Sequence, residues 1–404
     1  MKSAYKKQPF WAAALLCLGL LLPGFASATG PEPTPKPKQS QPQPPQEAPK
    51  QTAPAQAAQD YTKAIKKEFP LNASGTVNLI NKYGRIDVKT WEKNRAKVEV
   101  TIVVKAGSET QAQTVFDRIR VDFSNTDDFV KAETVIESGK NYWFNLGMND
   151  HTEFQINYLV YMPATASLDL SNRYGDSQVA PLTSKVKVDV QYGSFRLEGV
   201  GATLSLNLGY GNGTILKSGD ATVDVSYSKL NFADVRNVNL TSKYSQLKID
   251  NGADLTADSR YDEFNLVKVG NLICTTKYGD MTVGKAESIK ATGQYTDFKI
   301  DKLGDNGDFD LTHGGLRIDH VSKGFSRINL VGKYSDFKIG VENGASYTLD
   351  ANASFAGIAY PDGLVVTYEK EKGTSHEVKG HAGTQNARSA IRANLNYGGL
   401  KVKQ

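Results

Sequence analysis

The sequence predicts an all-β protein: a parallel β-solenoid of about 13 short rungs of 17 to 21 residues, with an inserted β-rich block and one helix near the N-terminal end. Three observations carry this. An aromatic residue recurs at a nearly fixed spacing, apolar residues alternate around it, and the alternation slips by one residue where Gly or Ser follows it.

Tyr174, Tyr192, Tyr210, Tyr227, Tyr244, Tyr261, Tyr278 and Tyr295 recur at steps of 17 or 18. His313 follows at a step of 18, and Tyr334 and Phe355 come at steps of 21. Tyr83 and Tyr397 carry the same pattern at the two extremes, making 13 copies. Positions −6, −4, −2, 0, +3 and +5 around the aromatic tend to be apolar or small, as in Val238, Leu240, Ser242, Tyr244, Leu247 and Ile249. Alternation with period two marks a strand with one buried face. The slip marks a corner, and Gly suits a corner because it accepts positive φ.

Each copy is then strand, corner, short strand and looser corner, and no copy can bury its own apolar face. Stacking copies in parallel at about 4.8 Å builds a shared core and a rod on the order of 60 Å long. Parity counts the aromatic among the core positions, so the column is expected as an internal ladder whose hydroxyls reach the corner backbone. An outward platform for sugars is the less favoured arrangement. Cys274 also falls at an inward position and reads as a small buried apolar residue.

Residues 1–28 read as a signal peptide: Lys2, Lys6 and Lys7, an apolar run from Phe10 to Phe25, and the small triplet Ala26-Ser27-Ala28. Cleavage removes Cys17, leaving no disulfide, and takes the formal charge from +5 to +2. Such a balance argues against nucleic acid as a partner. No other stretch approaches membrane-spanning length. The expected location is therefore periplasmic, cell-surface or secreted. Residues 29–60 read as a disordered spacer, with nine prolines between Pro31 and Pro54.

Residues 61–167 contain the first rung and an insert. Lys97 to Val104 and Phe154 to Tyr161 read as strands, and Thr110 to Ile119 has helical spacing. The insert is expected to cap the open end of the stack. Residues 168–404 form the repeat domain, broken at 361–388 by a polar, Gly-rich hairpin or loop excursion.

No catalytic or phosphate-binding motif is present, and no cofactor is expected. His151, His313, His320, His376 and His381 lack metal-ligand spacing. Asp305, Asp308 and Asp310 cluster in what reads as a turn, but match no calcium-loop spacing, so an ordinary Asx-type corner is preferred. Lys243, Arg260 and Lys277 precede the aromatic in three consecutive copies and form a candidate polymer-binding stripe. Lys248, Lys299, Arg317 and Lys338 recur at +4. Glu263, Asp280 and Asp297, at +2, offset the stripe and make a salt-bridged face the simpler reading.

The segment Asn81-Lys82-Tyr83-Gly84-Arg85-Ile86-Asp87-Val88-Lys89-Thr90-Trp91 and the later Tyr-Gly copies resemble the "putative adhesin" family of bacterial envelope proteins. The resemblance covers about residues 66–404. It implies a secreted β-solenoid, and carries over no functional residues. The resulting expectation is a non-catalytic envelope scaffold that presents a long surface to a polysaccharide or protein. One alternative is a carbohydrate-active β-helix enzyme using Glu263, Asp280 and Asp297. Another is a periplasmic partner of a membrane sensor. The sequence leaves the oligomeric state open.

Overall fold

The computed structural model describes residues 58–137 and 153–404. The signal peptide, residues 29–57 of the spacer and His151 lie outside them. The described chain is all-β with one helix, and its strands join in a single sheet of mixed parallel and antiparallel pairs. No helix among the described residues is long and apolar enough to cross a membrane.

Where the aromatic repeats, pairing is parallel. Val186 faces Leu168 on one side and Leu204 on the other, the equivalent positions of the preceding and following copies. The register continues through Ala221, Val238, Leu255 and Leu272 at a step of 17. A step equal to the sequence period aligns equivalent positions, so apolar residues form columns. Val223, Leu240, Ala257 and Cys274 make one such column, all buried. Val238, Leu240, Ser242, Leu247 and Ile249 are each at most 4% exposed, as the alternation predicts. Burial pushes the Cys274 thiol up to about 12.

The insert covers the outer side of the first copy. Strand Phe129–Ile136 runs parallel to Thr76–Lys82, and Glu153–Pro163 runs parallel to Ile86–Trp91. Beyond them the pairing turns antiparallel, through Ile119–Thr126 on one side and Arg95–Ala106 then Gln59–Pro70 on the other. The sheet begins at Gln59, just inside the range read as spacer. The helix is Glu109–Phe116, capped by the Ser108 hydroxyl, which accepts from the Gln111 amide. It ends short of Ile119 because Ile119 opens the next strand opposite Ile136.

At the other end the copies depart from chain order. The last strand, Ala390–Lys403, lies between Arg327–Val341 and Tyr347–Ala359, parallel to both. Successive ring neighbours are therefore Tyr334, Tyr397 and Phe355. Equivalent apolar spacing in all three copies makes them interchangeable to a sequence reading, so sequential stacking is the natural but wrong expectation here. The excursion at 361–388 contains a hairpin of Val365–Lys372 and Ser375–Ala382, whose second strand pairs antiparallel with Tyr347–Ala359.

Candidate functional site

All 13 repeat aromatics adopt left-handed backbone conformation, with φ between 52° and 61°. For a bulky residue this costs roughly 1 kcal/mol or more. The conformation swings the side chain out of the core, and the eleven tyrosines and Phe355 are 36–55% exposed. The expected internal ladder is thus corrected. The corner begins at the aromatic, so strict alternation stops at position −2.

Parallel register then stacks the rings. Consecutive centroids lie 4.8–5.1 Å apart with planes 1–12° from parallel, from Tyr83 to Phe355. Each stacked contact contributes about 0.5–1.5 kcal/mol, enough to offset the backbone strain. The stack closes at Tyr83 against the Phe154 ring. Ring faces cover one another, so solvent meets edges and hydroxyls.

Position +1 is small for a different reason than positive φ, which among the corner glycines only Gly398 shows. A Cβ on Gly193 would sit 2.1 Å from the Gly175 carbonyl oxygen, and one on Gly211 1.9 Å from that of Gly193. Close approach of the neighbouring copy is what requires Gly. At Ser228, Ser245 and Asp262 the side chain turns inward and bonds to that neighbour. Ser228 Oγ accepts from the Gly211 amide, and Ser245 Oγ from the Ser228 amide. Asp262 Oδ1 accepts from the Ser245 amide at 2.7 Å, and Oδ2 from Ser242 Oγ at 2.6 Å and the Arg260 amide at 3.0 Å. Burial raises the Asp262 carboxyl above its usual range, and these donors pull it partly back.

A channel runs beside the rings. Tyr210, Tyr227 and Tyr244 form one wall, Asn212, Lys229 and Gln246 the other, and Gly211 and Ser228 the floor of a cavity of about 570 Å³. Lys229 and Gln246 also border a second cavity of about 450 Å³ with Asn231, Lys248 and Asn265. A further cavity, of about 800 Å³, lies at the looser corner among Gly201, Gly219, Gly252 and Gly270.

Lys243, Arg260 and Lys277 stand side by side in register on the other flank of the rings, all exposed. Lys277 Nζ lies 5.5 Å from the centre of its own neighbour Tyr278. Glu263, Asp280 and Asp297 share a shallow cavity with Lys299, Arg317 and Lys338. Arg317 is paired with Asp319, and Lys248 with Asp250. Asp308 and Asp310 stand at strand positions in parallel register with Asn329 and Val331, whereas Asp305 lies between the stretches of pairing that end at Leu303 and begin at Asn306, so the corner reading holds for Asp305 alone. The Asp305 oxygens accept from the Ser326 amide and Asn306, and those of Asp308 from Arg327 and Asn329. His376 bonds Glu369, holding that carboxyl below the usual range. Among the described residues no group of three His, Cys, Asp or Glu could hold a metal ion.

No protein-family model matches the chain, and no curated protein matches it. Among solved structures, the chain is similar to a "putative cell adhesion protein" from Clostridium sporogenes, at 10% identity over 86% of this chain and 99% of that one, TM-score 0.17. It is similar to a "putative lipid binding protein" from Parabacteroides distasonis, at 12% identity over 63% and 96%, TM-score 0.34. A "putative adhesin" from Parabacteroides merdae matches at 9% identity over 85% and 97%, TM-score 0.27. The functional reading rests on the geometry of this chain.

Asn212, Lys229, Gln246 and Asp262 are the residues that the sequence reading passed over. Position +2 was legible as a column in Glu263, Asp280 and Asp297. Its earlier members, Asn212, Lys229 and Gln246, became visible as a wall only once the rings were known to point outward.

Proposed function

We propose that this chain is a non-catalytic binding scaffold of the cell envelope: a β-solenoid of 13 rungs that presents its aromatic edge to an extended polysaccharide. The observation that carries the reading is the continuous column of exposed, stacked rings, flanked by a polar channel on one side and the Lys243, Arg260 and Lys277 column on the other. A preformed surface repeating at the strand spacing suits a repetitive ligand, because each added unit meets another copy of the same site. The three carboxylates lie in one column beside cations rather than facing each other across a cleft, which favours binding over glycoside turnover. Export and a Pro-rich spacer would place the rod clear of its anchoring surface.

The test is capture of fractionated envelope polysaccharides by residues 29–404, with Lys243→Glu/Arg260→Glu/Lys277→Glu alongside. Selective capture that weakens at least tenfold in the variant supports the scaffold and its basic column. Indifference to every fraction contradicts the scaffold reading.

A further inference from the structure

We infer that the channel beside Tyr210, Tyr227 and Tyr244 is a subsite for a linear β-1,4-linked glycan. This rests on the scaffold reading and adds the ligand class. The walls are chemically matched to sugar hydroxyls, which donate and accept at once. Asn212 and Gln246 offer carboxamides with both capacities, and the tyrosine hydroxyls do the same. The side chains of Asn212 and Lys229 make no hydrogen bond or ion pair among the described residues, so both are free to turn to a ligand. Gln246 spends one amide proton on Glu263 and keeps its other groups free.

The low floor lets a chain lie against the backbone of the shallow channel. Gly211 has no side chain, and the Ser228 hydroxyl is turned back to the Gly211 amide and the Ser226 carbonyl. Because ring faces are closed by stacking, recognition proceeds through ring edges and polar atoms along the channel rather than by a sugar stacked on a ring.

Pitch selects the linkage. Ring centroids from Tyr192 to Tyr244 are 4.8–4.9 Å apart. A β-1,4-linked chain in its extended two-fold form advances by nearly this distance per sugar, so each sugar meets one copy, and every second sugar presents the same edge to the channel. An α-1,4-linked chain coils and leaves the channel after one or two units. The small pitch mismatch accumulates, so affinity should climb with chain length over the first few sugars and then level off. The second cavity, with Asn231 and Asn265, continues the amide surface away from the rings and would take substituents on the sugars.

The experiment titrates residues 29–404 with hexasaccharides of β-1,4-linked glucose, β-1,4-linked N-acetylglucosamine and α-1,4-linked glucose. Binding of at least one β-linked series, with no α-linked binding, is expected, and the two β arms distinguish plain from N-acetylated chains. Asn212→Ala/Gln246→Ala should weaken it by about tenfold at unchanged thermal unfolding, since both side chains are exposed and outside the core. Equal binding of the α-linked chain, or affinity unmoved in that variant, overturns the subsite. If envelope polysaccharide is captured while neither β-linked hexasaccharide binds, the subsite fails and the scaffold reading survives. If nothing is captured, both fail.

Discussion

The repeat aromatic holds two opposed terms, a strained backbone and a stacked ring. Tyr244→Gly removes the strain together with two stacked contacts, so a net loss of about 1 kcal/mol is expected by chemical denaturation. Tyr244→Val keeps the strain and loses the stacking, and should cost about 2–4 kcal/mol. A glycine variant less stable than the valine variant would mean that strain is not what the ring offsets. At the next position, Gly193→Ala forces a Cβ against a backbone oxygen and should be severely destabilising, whereas Gly363→Ala, with nothing within 4 Å, should stay within about 0.5 kcal/mol. Asp262 supplies a pH signature. Its carboxyl is raised in the folded state, so the stability it contributes is complete below about pH 4, the ordinary carboxyl range, and is lost as pH rises through its folded value. The stability of the native chain relative to Asp262→Asn should therefore fall as pH rises above about 4. A difference that grows with pH would contradict the burial argument.

At the scale of elements, edges explain what the terminal strands look like. Val365–Lys372 pairs only with its hairpin partner and is exposed throughout. Glu369, Lys370, Glu371 and Lys372 alternate in charge along it. Two copies pairing these strands about a two-fold axis would oppose residues of the same parity, hence like charges, which discourages association. Replacing all four with Thr should produce concentration-dependent dimers by light scattering, and a variant that stays monomeric would show that another feature guards the edge. The strands themselves were legible, because period-two alternation needs only local sequence. So was the helix, from its spacing alone, while the polar interruption at 361–388 was legible as a hairpin or a loop without deciding between them. The side on which the aromatic lies was not legible. Parity counts residues and cannot see that one left-handed φ turns the next side chain outward. The reason for Gly at +1 was hidden too, since it depends on a carbonyl in the neighbouring copy.

For the whole molecule, the order of copies was the least readable feature. A register that fits every neighbour equally well does not encode which neighbour is used, and the last strand enters between two earlier copies. Its Ile391, Ala393, Leu395, Leu400 and Val402 are all buried there. Deleting residues 390–404 should therefore open the interior of the sheet and lower the unfolding midpoint steeply, rather than merely shorten the stack. Loss of a few degrees only, by circular dichroism, would argue that the strand sits at an edge. The outward ring column then gives the molecule one long, repetitive face, and its role as the binding surface is the central claim. Residue-resolved tyrosine modification, with and without captured polysaccharide, addresses that claim most directly. Tyr210, Tyr227 and Tyr244 should react readily in the free chain and be protected when polysaccharide is bound, while buried Tyr158 and Tyr347 stay inert in both. Ring-column tyrosines that are unreactive in the free chain, or equally reactive in both states, would contradict it.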